Sequence, residues 1–147
     1  MKLSTRSRYG LRAVYDLALN RDGPVAVKVI AQRQDISEAY LEQLFASLKR
    51  AKLVKSLRGA QGGYQLARPP EEISIGEVLR ALEGSTSIAD CVGHEGCGNS
   101  CTCPSHPVFA QIQRAIDQVL DGMTLKDMVE QNQGGSAKTT DQDPEEH

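Results

Sequence analysis

Four cysteines and two histidines fall within the sixteen residues from Cys91 to His106. Cys91, Cys97 and Cys103 follow one another with five residues between each pair, and His106 follows Cys103 with two residues between. Cys101 and His94 are extra members of the same stretch. Thiolates and imidazole are the ligands that zinc and iron–sulfur clusters take. Unrelated cysteines would have to sit buried in a polar, glycine-rich loop, which contradicts how free cysteines usually pack. Zinc accepts a Cys₃His set, but its structural sites favour tight knuckles two to four residues apart. The wider gaps suit a larger object such as an iron–sulfur cluster, where mixed Cys/His ligation is known.

A second constellation lies on a helix expected over Glu38 to Ala51. Its face opposite the leucines carries Ala39, Gln43, Ala46 and Arg50, with Glu42 and Ser47 at the flanks. Small residues let such a helix approach a groove floor, Gln and Glu reach base edges, and Arg reaches phosphates. Arg58 and Gly59 occupy a glycine-rich stretch, Arg58 to Gly63, and an arginine at a loop tip is placed to enter a minor groove. Lys2, Arg6, Arg8 and Arg12 add positive charge near the amino terminus for backbone contacts. Ser37 caps the reading helix. Tyr40 is read first as a packing residue and second as a DNA contact.

These residues need elements to hold them. Leu11, Val14, Leu17 and Ala18 recur at helical spacing, so a first helix is expected from about Thr5 to Asn20, capped by Ser4 or Thr5 and ended by Asp22-Gly23-Pro24. A short helix over Val27 to Gln34 follows, then the break Asp35-Ile36-Ser37. Leu41, Leu44, Phe45 and Leu48 form the strongest helical stripe. Helix, tight turn and helix of this length is the helix-turn-helix pattern. Leu53–Leu57 and Tyr64–Leu66 read as two short strands around the glycines, and a hairpin directly after a reading helix is a wing. Tyr64 is expected to pack the wing base. Ser74 with Glu77 makes a capping box for a helix stopped by Gly84. Val108, Ile112, Ala115, Ile116, Val119 and Leu120 mark a long amphipathic helix ending near Gly122. Thr124 with Asp127 makes a second capping box for a short last helix.

The expected fold class is mainly α with a small β-hairpin wing. The expected divisions are a winged helix-turn-helix over 1–84, a cluster-binding loop over 85–106, a dimerisation helix and short terminal helix over 107–132, and a disordered tail over 133–147. The net charge of -2 is unevenly spread. Met1 to Arg68 holds 13 Lys+Arg against 5 Asp+Glu, and Pro69 to His147 holds 4 against 14. A basic half beside an acidic half fits a polyanion on one side. No apolar run exceeds three residues, so no transmembrane helix or signal peptide is expected. A cytoplasmic location follows, where thiols stay reduced. No Ser/His/Asp triad, phosphate loop or carboxylate pair stands out, so an enzyme with a small-molecule substrate is not expected.

The opening Leu3-Ser4-Thr5-Arg6-Ser7-Arg8-Tyr9-Gly10, the segment Ser37 to Leu48, and Leu57-Arg58-Gly59 with Gly62-Gly63-Tyr64 resemble the Rrf-two family of winged-helix regulators. The spacing of Cys91, Cys97, Cys103 and His106 is similar to that of its iron–sulfur cluster branch, and the resemblance covers residues 1 to about 131. It implies a homodimeric transcription factor that binds a double-stranded DNA operator. It also implies one 2Fe–2S cluster per subunit on those four residues, and dimerisation through the helix near Pro107 to Gly122. Arg8 stands where the nitric-oxide-sensing branch offers a carboxylate, which separates this chain from that branch. The resemblance further implies that Glu42 gates which DNA sites are bound, although Ala39 lacks the serine hydroxyl that would withdraw it. The competing readings are a zinc- or thiol-switched repressor and a cluster carrier whose winged helix binds protein.

Overall fold

The computed structural model describes residues 2–89, 92 and 103–134. Cys91, His94, Cys97 and Cys101 therefore lie outside the described residues, as does the chain from 135 onward.

The first three helices are α1 (Thr5–Leu19), α2 (Val27–Gln34) and α3 (Glu38–Arg50). Asp35 ends α2 in the left-handed conformation with φ 54°, where its amide donates back to Ala31, and so turns the chain sharply towards α3. Ser37 then accepts from the Tyr40 amide and starts α3 as the sequence predicts. Leu41, Leu44, Phe45 and Leu48 are all fully buried against Ala13, Val14 and Leu17 of α1 and Ile30 of α2.

Strands β1 (Val54–Leu57) and β2 (Gly63–Leu66) pair antiparallel, with Val54 opposite Leu66 and Leu57 opposite Gly63. Gly59, at φ 113°, makes the wing tip possible. The hairpin is fastened to the body at Tyr64, which exchanges two backbone hydrogen bonds with Val25 at 2.8 and 2.9 Å. A Cβ on Gly63 would lie 2.1 Å from the Val25 carbonyl oxygen, so this docking requires glycine.

The chain returns through a 3-10 turn, Pro70–Glu72, to α4 (Ile75–Glu83), whose capping box at Ser74 and Glu77 is complete. Helix α4 packs tightly on α1: a Cβ on Gly10 would meet a Leu82 methyl at 2.2 Å. Helix α5 (His106–Gly122) packs on α4, and α6 (Leu125–Gly134) returns to α1 with Leu125 in the common core. Thr124 and Asp127 exchange the bonds of the second capping box. None of the described helices is long and apolar enough to cross a membrane.

Two local expectations change. Ser4 stands at the N-cap of α1, but its side chain makes no cap hydrogen bond, because it turns to a carboxylate on α4 instead. Gln133 and Gly134 belong to α6 rather than to a tail, because the capped helix carries on past its last apolar residue.

Candidate nucleic-acid interface and metal centre

The reading helix and the wing are held together by three contacts. The Tyr64 ring stacks on Phe45 at 4.4 Å between centroids, at an interplanar angle of 11°. Its hydroxyl donates to Glu42 at 3.4 Å, and Lys49 Nζ donates to Ser56 Oγ on β1 at 2.9 Å. Burial, followed by the charge and hydrogen bond of Glu42, raises the Tyr64 pKa above its ordinary 10.0, so the phenol stays protonated and remains a donor. Tyr64 thus anchors the wing base, as expected, and also gives Glu42 a partner that sequence reasoning missed. The missing hydroxyl at Ala39 does not leave that carboxylate without a local donor.

Ser47 is buried rather than displayed on the helix face, and two arginines converge on it. Arg6 Nη2 donates to its Oγ at 3.0 Å and Arg50 Nη2 at 3.4 Å. A hydroxyl with two acceptor lone pairs serves both guanidinium groups. Two candidate phosphate-binding residues from α1 and α3 are therefore brought side by side, while Ser47 orients them. Lys2, Arg8, Ser37, Glu42, Gln43, Arg58 and Gly59 are all exposed. Tyr40 is half-buried, edge-on to Tyr9 at 6.0 Å, with the Arg12 guanidinium over the Tyr9 ring at 5.4 Å. Packing is its observed role.

The first two helices are locked by a carboxylate that sequence reasoning also missed. Asp16 is buried and receives Arg33 at 2.8 Å, Gln34 at 3.2 Å and Asn20 at 3.3 Å. Its position three residues after Ala13, on the apolar face, is the signal that could have found it.

Two of the four candidate metal ligands lie in described structure, at the start of α5. The His106 amide donates to the Cys103 carbonyl at 3.2 Å, which fixes the two residues in one turn. The Ser105 hydroxyl beside the Cys103 sulfur, at 3.0 Å, holds the thiol below its ordinary 9.0, with the Ser105 and His106 amides assisting against burial. That environment favours the thiolate, the form that ligates metal. Nδ1 of His106 is buried and has no hydrogen-bond partner among the described residues. Buried polar atoms are rarely left so, and a metal-ligating nitrogen is one that needs no protein partner. Both residues fit an iron–sulfur group. Cys91 and Cys97, the other two candidate ligands, fall outside the described residues.

The start of the loop is also secured to α5. Gln113, a polar residue buried in the apolar helix, accepts from the Ile88 amide at 2.8 Å and donates to the Thr86 carbonyl at 3.3 Å. Arg80 of α4 grips the same helix through Asp121 at 2.6 Å and Asp117 at 3.4 Å. The Asp121 hydrogen bond is the main cause of its raised pKa, with Asp117 adding to it.

Comparison with known proteins gives a consistent set of matches. Residues 3–131 match the Rrf2 family model, described as an iron-dependent transcriptional regulator. The HTH-type transcriptional regulator IscR of Aliivibrio salmonicida is 40% identical over 134 residues, which are 90% of this chain and 80% of that protein. Among solved structures, T. potens IscR is 42% identical with a TM-score of 0.75, covering 94% of this chain and 93% of that one. CymR, the global cysteine regulator of B. subtilis, is 39% identical with the same TM-score, covering 89% of this chain and 98% of that one.

Proposed function

This chain belongs to the Rrf2 family of DNA-binding transcriptional regulators, and from that premise we propose that it is a homodimeric, iron–sulfur-dependent regulator of cluster-assembly genes acting in the cytoplasm. The observation that carries the DNA-binding part is the single exposed face built from α3, the Arg6 end of α1 and the wing, tied together through Ser47 and Tyr64. In this reading Gln43 and Glu42 meet base edges, Arg6 and Arg50 meet phosphates, and Arg58 enters a minor groove. The buried Nδ1 of His106, which has no partner among the described residues, and the thiolate-prone Cys103 support a 2Fe–2S group, one per subunit, held with Cys91 and Cys97.

When bound, that group supplies redox-active iron whose presence or absence changes the loop's contents. The chain's own residues do the rest. Gln113 holds the start of the loop to α5 and Arg80 ties α5 to α4, so a change there meets a braced helix pair rather than slack chain. Glu42 leaves a charge unpaired at sites that offer it no donor, which makes operator choice sensitive to its hydrogen bond with Tyr64.

The test is chemical analysis of anaerobically purified protein. Iron and acid-labile sulfide near two each per chain are expected, with Cys97→Ala losing the visible colour and Cys101→Ala keeping it. A second reading, a thiol switch, is favoured by the partly exposed Cys103 thiol, whose sulfur lies 3.0 Å from the Ser105 hydroxyl. Iron-free protein whose DNA affinity changes on oxidation would select it. Stoichiometric zinc without sulfide would favour a zinc-switched repressor.

A further inference from the structure

Glu83 is the last residue of α4, immediately before Gly84 and the cysteine loop. One of its carboxylate oxygens, Oε1, accepts three hydrogen bonds from the opposite end of the chain. The Ser4 amide donates at 2.8 Å, the Ser4 hydroxyl at 2.5 Å and the Ser7 hydroxyl at 2.5 Å. Ser7 is fully buried. This contact depends on the close packing of the next turn, where Leu82 fills the space left by Gly10. Ser4, Ser7 and Gly10 recur every third residue, so the start of α1 meets the end of α4 with small groups.

Arg6 lies between the two serines and donates to Ser47 on the reading helix. The Ser4 and Ser7 hydroxyls are the main reasons the Glu83 carboxyl stays below its ordinary 4.5, and the charge of Arg6 contributes last. The first turn of α1 is therefore held on one side by Glu83, through Ser4 and Ser7, and carries on the other the Arg6 that reaches Ser47 beside Arg50. Bonds from neutral donors to a carboxylate are among the stronger ones available to a side chain, so this anchor is not a casual surface contact.

We propose that Glu83 is a positioning residue for DNA binding, holding the first turn of α1 so that Arg6 stands beside Ser47 where a phosphate meets them both. The inference rests on the DNA-binding reading above.

The sign of one substitution separates this role from a bystander's. A carboxylate that merely sits near a basic face repels DNA, and removing its charge tightens binding. A carboxylate that positions a phosphate contact weakens binding when its charge is removed. The experiment titrates full-length protein against a duplex selected by the wild type from a random-sequence pool, across a salt series. Glu83→Gln keeps an acceptor oxygen but loses the charge that strengthens the bonds from Ser4 and Ser7, so the first turn of α1 is held less firmly. It is expected to lose affinity about five- to tenfold and to flatten the logarithmic salt slope by about one unit, as Arg6→Ala does. The double variant is expected to bind no more weakly than Arg6→Ala alone. Tighter or unchanged binding by Glu83→Gln, or losses that add, overturns the proposal while the DNA-binding reading stands. A wild type that selects no duplex overturns both. If circular dichroism finds Glu83→Gln unfolded, Ser4→Ala carries the same test, since it removes one hydroxyl donor and keeps the amide bond. An unchanged salt slope there overturns the proposal.

Discussion

At the scale of single residues, the side chains expected to touch DNA divide into those that reach outward and those that aim others. Arg58 is exposed at the wing tip beside Gly59, with nothing in the core to occupy it. Arg58→Ala is expected to weaken specific operator binding by about 1–3 kcal/mol, read as a shift in the fluorescence-anisotropy midpoint at fixed salt. An equal loss on non-specific duplex would show a simple phosphate contact instead. Ser47 is the contrary case. Helical spacing puts it at the flank of the exposed face, yet it lies buried under two guanidinium groups. Spacing places a residue on a helix face to within a turn. It does not tell which neighbouring helix covers the edge of that face.

At the scale of elements, the α1–α4 contact is where stability and function meet. Gly10→Ala pushes a methyl into Leu82 and is expected to destabilise the fold by about 1–3 kcal/mol, measured by urea unfolding. An unchanged midpoint would mean that Leu82 swings aside at no cost. The same pair of helices sets an acid limit. Glu83 is held below its ordinary 4.5 chiefly by the Ser4 and Ser7 hydroxyls. For Glu77, burial pushes upward, but the Ser74 bonds and the Arg68 ion pair together outweigh it. A carboxyl whose pKa is lower folded than unfolded adds stability above the unfolded value, and that contribution disappears as the pH falls through the folded value. Melting temperature should therefore be flat near neutrality and fall below about pH 4.5. Glu83→Gln should soften the fall, and an identical acid profile would remove Glu83 from the account.

At the scale of the whole molecule, α5 is the element that one chain leaves incomplete. Val108, Ile112 and Val119 stay exposed along it, while Ile116 is half-buried and Leu120 packs against the core. A second copy packing on this face would bury the exposed members and bring two reading helices to one side of a duplex, so a roughly two-fold symmetric operator is expected. Ile112→Glu tests this without disturbing the core, since Ile112 is 44% exposed. It is expected to convert dimers to monomers by light scattering and to abolish tight operator binding. A wild-type mass near 16.0 kDa would count against the dimer.

Much of the fold was legible because local rules decide it. The α3 stripe, the Ser37 cap, the Ser74–Glu77 and Thr124–Asp127 boxes and the glycine-rich wing are patterns within a few residues, and each appears where the spacing puts it. The pairing of Cys103 with His106 is equally local, because two intervening residues on one turn cannot separate them. What the sequence could not determine is every contact between residues far apart in the chain. Ser4 looked like a helix cap and is instead held by Glu83, 79 residues away. Glu42 found Tyr64, and Arg6 found Ser47, across separations of 22 and 41 residues. Such partners depend on how closely two elements pack, and for Ser4 and Glu83 that distance was set by a missing methyl at Gly10 and a leucine at 82. Hydrophobic periodicity says which face turns inward. Only the packed structure decides which polar groups the close approach then brings within hydrogen-bonding reach.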